Sequence, residues 1–408
     1  MFVGAAITPC RAMLAANDPT LVLDLLFKQS ALPAGLTFSR ASVGTDIING
    51  VLTSFASGAP RISAENGLLI EEARTNILQN SSISTIGSTF QGGIYTGPDN
   101  VAGSAVQMTS DAGTTTHGLT NAVSQTHSAA AYTVSAFVKA GTSNRVQICV
   151  GSAVSTAYVN FLLSGDGSIT GSSGATLSGI IPMANGWYRI WMVYTAAAAS
   201  GAPVALFFLQ TGSEGRAPSL TMAGTETLLF YGLQSELGGF LTSYIPTTNA
   251  NVTRATDLCY TTSLSWWTQT QGTFFAQLNK IATNNTLSYW YCSLTDMTTA
   301  NYHALMMLST LITRGEIRQV SSNEMQADVY TYTSGRLKHA MAYASNDGQT
   351  CANGNLSAQD TTVVLPTGLT RLDIGNRYDG IRALNGYVEA IRFYNERKTP
   401  SQLQNITA

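Results

Sequence analysis

The chain reads as all-β: tandem antiparallel β-sandwiches (jelly rolls) behind a β-rich N-terminal segment. Three observations predict this. Short apolar runs alternate with period two, as in Tyr132-Thr-Val-Ser-Ala-Phe-Val138, which sends successive side chains to opposite faces of a strand. The runs recur at roughly ten-residue intervals between turn formers, the rhythm of sandwiches and barrels. Ahead of the C-terminus, no stretch keeps a convincing helical period.

Taken in order, residues 1–80 alternate short apolar runs with turns. Leu21-Val-Leu-Asp-Leu-Leu-Phe27 and Leu36-Thr-Phe38 read as strands, and Asn49-Gly50 between Ile47-Ile48 and Val51-Leu52 is a hairpin signal. Leu68-Leu-Ile70 follows. Over 81–255 the strands are 132–138, 145–150, 157–163, 187–194, 204–209 and 228–233, with a tight turn at Gly165-Asp-Gly167. Trp187-Tyr-Arg-Ile-Trp-Met-Val-Tyr194 is apolar on both faces, as a central strand requires. A polar, turn-rich stretch at 247–256 marks a boundary. The rhythm restarts over 256–408 with strands at 272–278, 287–292, 303–308, 316–320, 327–331, 336–344, 372–376 and 386–394. Thr399-Pro400 then caps one short closing helix. Three units result: 1–80, 81–255 and 256–408.

With 408 residues the chain is too long for one core. Charged residues make up 11%, against roughly 25% in an ordinary soluble domain. Hydrophobic content is nevertheless 44%, enough to offset the entropy of folding. A net charge of −2 gives no footprint for nucleic acid or an anionic membrane. No apolar run approaches the ~20 residues that span a bilayer. Residues 1–16 carry an apolar run, but Arg11 follows it and Pro9 interrupts it, so they read as an ordinary segment rather than a signal peptide. Cys10, Cys149, Cys259, Cys292 and Cys351 lack metal-ligand spacing and are odd in number, the pattern of buried reduced thiols.

Catalytic sets do not stand out. Glu71 and Glu72 are adjacent on a strand and point to opposite faces, so they cannot flank one glycosidic bond; local pairing with Arg74 is the expectation. Glu236 and Glu389 each stand alone in their strands. His117, His127, His303 and His339 form no cluster and read as surface or hydrogen-bonded residues. The chain is expected not to be an enzyme. Glycan binding needs open aromatic faces beside Asn, Asp and Gln, and the candidates are Trp266, Trp267, Trp290, Tyr302 and Tyr378; Trp187 and Trp191 belong in a core. Asp347, Asp373, Asn376 and Asp379 could offer the oxygen ligands that calcium takes, though a glycine-rich turn uses the same residues without metal. No other cofactor is indicated.

Two resemblances extend this reading. Arg371-Leu-Asp-Ile-Gly-Asn-Arg-Tyr-Asp-Gly380, then Leu384-Asn-Gly-Tyr-Val-Glu-Ala-Ile-Arg-Phe-Tyr-Asn395 and the closing helix, resemble the end of a laminin-G-like (concanavalin-A-like) jelly roll. Upstream, 337–344, Asn346-Asp-Gly348 and Asn353-Gly-Asn-Leu356 fit that family's strand–hairpin pattern, so the resemblance spans about 258–408. Family members often hold calcium by loop oxygens. The middle unit is similar to carbohydrate-binding-module jelly rolls. Gly67-Leu-Leu-Ile-Glu-Glu-Ala-Arg-Thr-Asn-Ile-Leu78, with Phe38-Ser-Arg-Ala-Ser42 before it, resembles tailed-bacteriophage virion proteins, and so do the stretches 230–247 and Val252-Thr-Arg-Ala-Thr-Asp257. That resemblance implies a non-enzymatic protein on the outer surface of the virion, in a tail fibre, spike or head fibre. Its N-terminal segment would attach to other virion proteins, its jelly rolls would adhere to host-surface glycan, and its oligomer would be a trimer. A capsid-decorating or tail-assembly role without receptor binding is the alternative, and a polysaccharide depolymerase is a third reading. The sequon Asn284-Asn-Thr286 carries no weight in such a protein.

Overall fold

The computed structural model describes residues 18–80, 83–121, 124–203, 206–283 and 287–408. Residues 1–16 with Cys10, and the sequon at 284–286, lie outside them. The described chain is all-β, with antiparallel sheets packed in two sandwiches and one helix at the C-terminus.

The middle sandwich pairs two six-stranded sheets. One runs Ala175–Pro182, Trp187–Thr195, Ala131–Ala140, Thr227–Leu237, Ala105–Ser110, Ser88–Tyr95; the other runs Ser168–Ser173, Tyr158–Leu162, Arg145–Cys149, Leu206–Leu209, Gly118–Asn121, Ile83–Ile86. Period-two alternation does the sorting. Val134, Ala136 and Val138, with Ile190 and Phe230 beside them on neighbouring strands, face Ile148, Phe161 and Phe207 in one core, while Phe137 and Trp187 point to the other side and meet Leu52 and Tyr244.

The second sandwich draws its strands from both ends of the chain. Its seven-stranded sheet is Thr37–Ser39, Leu258–Thr261, Arg371–Ile374, Tyr289–Thr295, Tyr302–Met307, Ile312–Gln319, Ser322–Thr331. Its eight-stranded sheet runs Asn355–Leu356, Asp347–Ala352, Leu337–Ala344, Gln271–Asn279, Gly386–Tyr394, Gly67–Ile70, Ile62–Ser63, with Leu21–Leu26 also on Gly386–Tyr394. That last long strand shares one edge between two N-terminal strands. Val388 to Gly386 lie opposite Leu68 to Ile70, and Ala390 to Tyr394 lie opposite Leu26 to Leu21. Leu25, Phe27, Ile62, Leu68 and Ile70 fill the same core as Tyr289, Leu305 and Phe393. The described residues of the expected unit 1–80 are therefore not a unit of their own, because short isolated strands cannot bury a face alone and these complete the C-terminal sheets.

The middle sandwich is an insertion into that body. The chain leaves through Arg74–Asn76 and returns through Val252–Arg254, and the two segments pair antiparallel with Asn76 opposite Val252. The boundary expected at 247–256 thus falls at the return crossing. The hairpin Gly44–Ile48 and Val51–Phe55 turns on Asn49 and Gly50 at φ 50° and 76°, both in the left-handed region that a two-residue turn of this kind needs. The helix Pro400–Thr407 starts from a capping box between Thr399 and Gln402 and buries Leu403 against the sheet.

Candidate functional site

The two sandwiches and the N-terminal hairpin meet at a buried ionic network. Its members come from four separate stretches of sequence: Arg40, Arg61 with Glu71, Ser243, and Arg254 with Asp257. The side chains of Arg40, Arg61, Arg254 and Asp257 are fully buried. Arg40 bonds Asp257 Oδ1 at 3.2 Å, and Arg61 spans from Asp257 to Glu71. Arg254 reaches Glu71 Oε2 at 3.1 Å and the Ser243 hydroxyl at 2.9 Å. The Ser243 amide and hydroxyl both donate to the Glu71 carboxylate at 2.7 Å, and the Glu71 amide donates to Asp257 at 2.9 Å. Burial pushes the Glu71 carboxyl up, but Arg254, Arg61 and the Ser243 bonds outweigh it and hold the group at about 2. Buried charge is tolerated here because every carboxylate is both paired and hydrogen-bonded.

Neighbouring polar side chains extend the join. Asn76 donates to the carbonyls of Leu233 and Ile245 at 3.1 and 3.0 Å, and its Oδ1 accepts from Ser235 and Leu78. Asn80 ties Leu233 to Thr247. Glu72 exchanges hydrogen bonds with Asn385 and pairs with Arg74 at 2.6 Å. Local pairing therefore holds for Glu72. Glu71 departs from that expectation and takes its partners from distant segments.

Beside the network lies a half-open cleft of about 410 Å³, walled by the 44–55 hairpin, the middle sandwich and the start of strand Gly386–Tyr394. Asp46, 5% exposed, and Arg189, 4% exposed, both line it. Tyr387 and the Ile47 amide bond Asp46 Oδ1, while Oδ2 has no protein partner. Burial pushes the Asp46 carboxyl up to about 6 against the opposing pull of Tyr387 and Arg61. Arg189 lies 5.3 Å from the Phe137 ring centre and donates from Nη2 to Ser135 at 3.3 Å. Its Nε has no partner, and burial lowers its guanidinium to about 10. Among the described residues Arg189 enters no direct ion pair, and the nearby Glu236 and Glu71 carboxylates act on it through space.

The residues singled out from sequence are placed elsewhere, and only partly together. Trp266 stands edge-on to Phe393 and donates its indole N–H to the Ser263 carbonyl at 2.8 Å; Trp267 donates to the Tyr343 hydroxyl at 2.9 Å. Both pack half-buried on the C-terminal core. Trp290 and Tyr302, 5% and 2% exposed, pack edge to face at 4.9 Å on the other side of the seven-stranded sheet. Arg377 stands 5.6 Å from the Trp290 ring and 5.8 Å from Tyr378. Trp290 and Tyr302 thus cover one another across adjacent strands, while Trp266, Trp267 and Tyr378 sit half-buried in loops. Trp187, a core residue in the sequence reading, is 1% exposed but faces the hairpin rather than the sandwich interior.

The calcium set is not gathered. Asp347 pairs with Arg397 at 2.6 Å and Asp373 with Arg371 at 2.5 Å, Asp379 pairs with Arg377, and Asn376 caps the amides of Arg377 and Arg382. Among the described residues no group of three His, Cys, Asp or Glu side chains could hold a metal. Glu236 is bound by Thr242 and Gln234, and Glu389 by Arg336, Lys28 and Gln277. The four histidines are all buried rather than at the surface; His303 and His339 are lowered to about 3 by desolvation. The described cysteines are buried and free.

Asp46, Arg61 and Arg189 were not singled out from sequence. The available signal was the rarity of charge: in a chain with 11% charged residues, an Arg inside the apolar run 187–194 needs a reason to be there.

No family model matches the chain, and no curated protein matches it in sequence. Among solved structures, it is similar to the CBM40 domain of Ruminococcus gnavus IT-sialidase bound to α2,3-sialyllactose, at TM-score 0.31 and 16% identity over 34% of this chain and 84% of that one. It is similar to domains LG4-5 of mouse laminin α1, at TM-score 0.24 and 9% identity over 78% of this chain and 90% of that one. Trypanosoma rangeli sialidase with the inhibitor DANA gives TM-score 0.30 and 11% identity over 93% and 80%. Scores of this size fix neither a family nor a ligand for this chain.

Proposed function

We propose that the chain is a non-enzymatic surface protein of a tailed-phage virion that adheres to host-surface glycan. The observation that carries this is a convergence. The four stretches through which the sequence resembles phage virion proteins supply Arg40, Glu71, Ser243, Arg254 and Asp257, and these meet in one buried network. That network frames a solvent-open cleft lined by buried polar groups, the kind of concavity in which a few placed polar atoms confer specificity. The non-enzymatic reading is supported by the fate of Glu71, Glu236 and Glu389, each held by cations or donors of the protein itself. Residues 18–76 are built into the C-terminal sandwich body and its hairpin, so the particle contact is a face of that body rather than a separate arm of those residues. Copies arrayed in a trimeric appendage would multiply weak single sites into firm attachment.

Antibody raised against the purified chain tests this on intact phage. Gold label on the outer surface, with adsorption to host cells blocked by the antibody fragments, is the expected result. Label without any effect on adsorption would leave a decorating role, and absence of label from the particle would remove the virion assignment.

A further inference from the structure

Two oppositely charged side chains line the inter-sandwich cleft, and the structure pairs neither with the other. Asp46 comes from the N-terminal hairpin and Arg189 from the middle sandwich. Each is at least nine-tenths buried and each keeps an unpartnered polar atom, Oδ2 and Nε. Glu236 and Glu71 act on Arg189 only through space, without a direct ion pair; a buried donor or acceptor left without a partner costs roughly 1–3 kcal/mol. The remaining charged groups at the cleft are Glu71, already neutralised by Arg61 and Arg254, and Glu65 and Lys280. Glu65 accepts from the Asn49 amide at 3.2 Å, and Lys280 donates to Asn66 at 2.8 Å. Excluding Glu71, the lining charges balance, two of each sign. The preference is therefore local rather than net: the unpartnered Nε of Arg189 suits an acidic group and the unpartnered Oδ2 of Asp46 suits a hydroxyl donor. Apolar wall from Ile47, Leu52 and Ile181, with the Tyr387 ring beside Lys280, fits the C–H faces of a sugar ring. A volume of about 410 Å³ lies within the roughly 300–1,000 Å³ of small-ligand clefts.

We propose that this cleft is a subsite for a carboxylated sugar, with Arg189 taking the carboxylate and Asp46 accepting from a ring hydroxyl. The proposal rests on the adhesion reading and names the ligand class. Bidentate geometry makes a guanidinium better suited than an ammonium to a planar carboxylate, and a site built to hydrogen-bond a polar group rejects analogues that lack it.

The test is calorimetry on the full chain with the methyl glycosides of glucuronic and galacturonic acid, against those of glucose and galactose, and with alanine as a simple zwitterion. The acidic sugars are expected to bind about tenfold or more tightly than the neutral ones, and Arg189→Gln and Asp46→Asn each to weaken them by about tenfold. Lys280→Ala, at an exposed side chain, guards against misfolded variants: it should lower affinity for the acidic sugars by a few-fold and leave the neutral ones unchanged. Equal binding of neutral and acidic sugars, or displacement by alanine, overturns the proposal. Host-cell adhesion that persists in both cleft variants overturns it while sparing the adhesion reading. Absence of any host-cell adhesion removes both.

Discussion

Glu71 holds two buried guanidinium groups in balance, and the consequence of removing its charge follows from that. In Glu71→Gln, Arg61 and Arg254 would remain desolvated with Asp257 as the remaining acid among their direct partners. Breaking one side of a buried pair costs about 3–5 kcal/mol, and chemical denaturation should show a lowered midpoint of that size. The two buried acids also set opposite pH limits. Glu71 is held at about 2 against an ordinary 4.5, so its contribution is present above pH 4.5 and is lost as pH falls toward 2. Asp46 is raised to about 6 from 3.8, so the stability linked to its protonation is full below pH 3.8 and is lost as pH rises through 6. Each shift corresponds to roughly 3 kcal/mol. Stability followed by denaturation against pH should therefore peak near pH 4, between about 3.8 and 4.5, and decline toward 2 and toward 6, and Asp46→Asn should flatten the decline on the alkaline side while leaving the acid limb in place.

Strands made visible by local chemistry were legible in the sequence, and their partners were not. Asn49-Gly50 gave its hairpin because both positions require positive φ, and 386–394 and the capped helix fall where the pattern places them. Ser168–Ser173 and Ala175–Pro182 escaped notice because small polar residues on an edge carry little alternation. The pairing of Leu21–Leu26 with Gly386–Tyr394 links the two ends of the chain, and no local pattern reports contact at that separation. The site was hidden for the same reason: Asp46 and Arg189 are neighbours only through the insertion. This element order has a direct consequence. Because Asn76 and Val252 are opposite each other, a two-residue Asn-Gly turn joining them should delete the middle sandwich and leave a folded, cooperative C-terminal body. Residues 256–408 expressed without 18–76 should be insoluble or lack a sharp thermal transition. Cooperative unfolding of 256–408 alone would contradict the shared-sheet assignment.

At the scale of the whole molecule, a chain poor in charge places several of its few charged groups at one internal junction and leaves broad sheets of Ser, Thr, Ala and Gly around it. The junction joins both sandwiches, frames the cleft, and unites the stretches that resemble virion proteins, so the proposed attachment and recognition would depend on one assembled body. The most direct measurement of the adhesive claim is binding of the purified, fluorescently labelled full chain to intact host cells, before and after mild periodate oxidation of their surface sugars. Saturable binding that is lost after periodate is the predicted result. No binding to untreated cells, or binding that periodate leaves unchanged, would contradict the account.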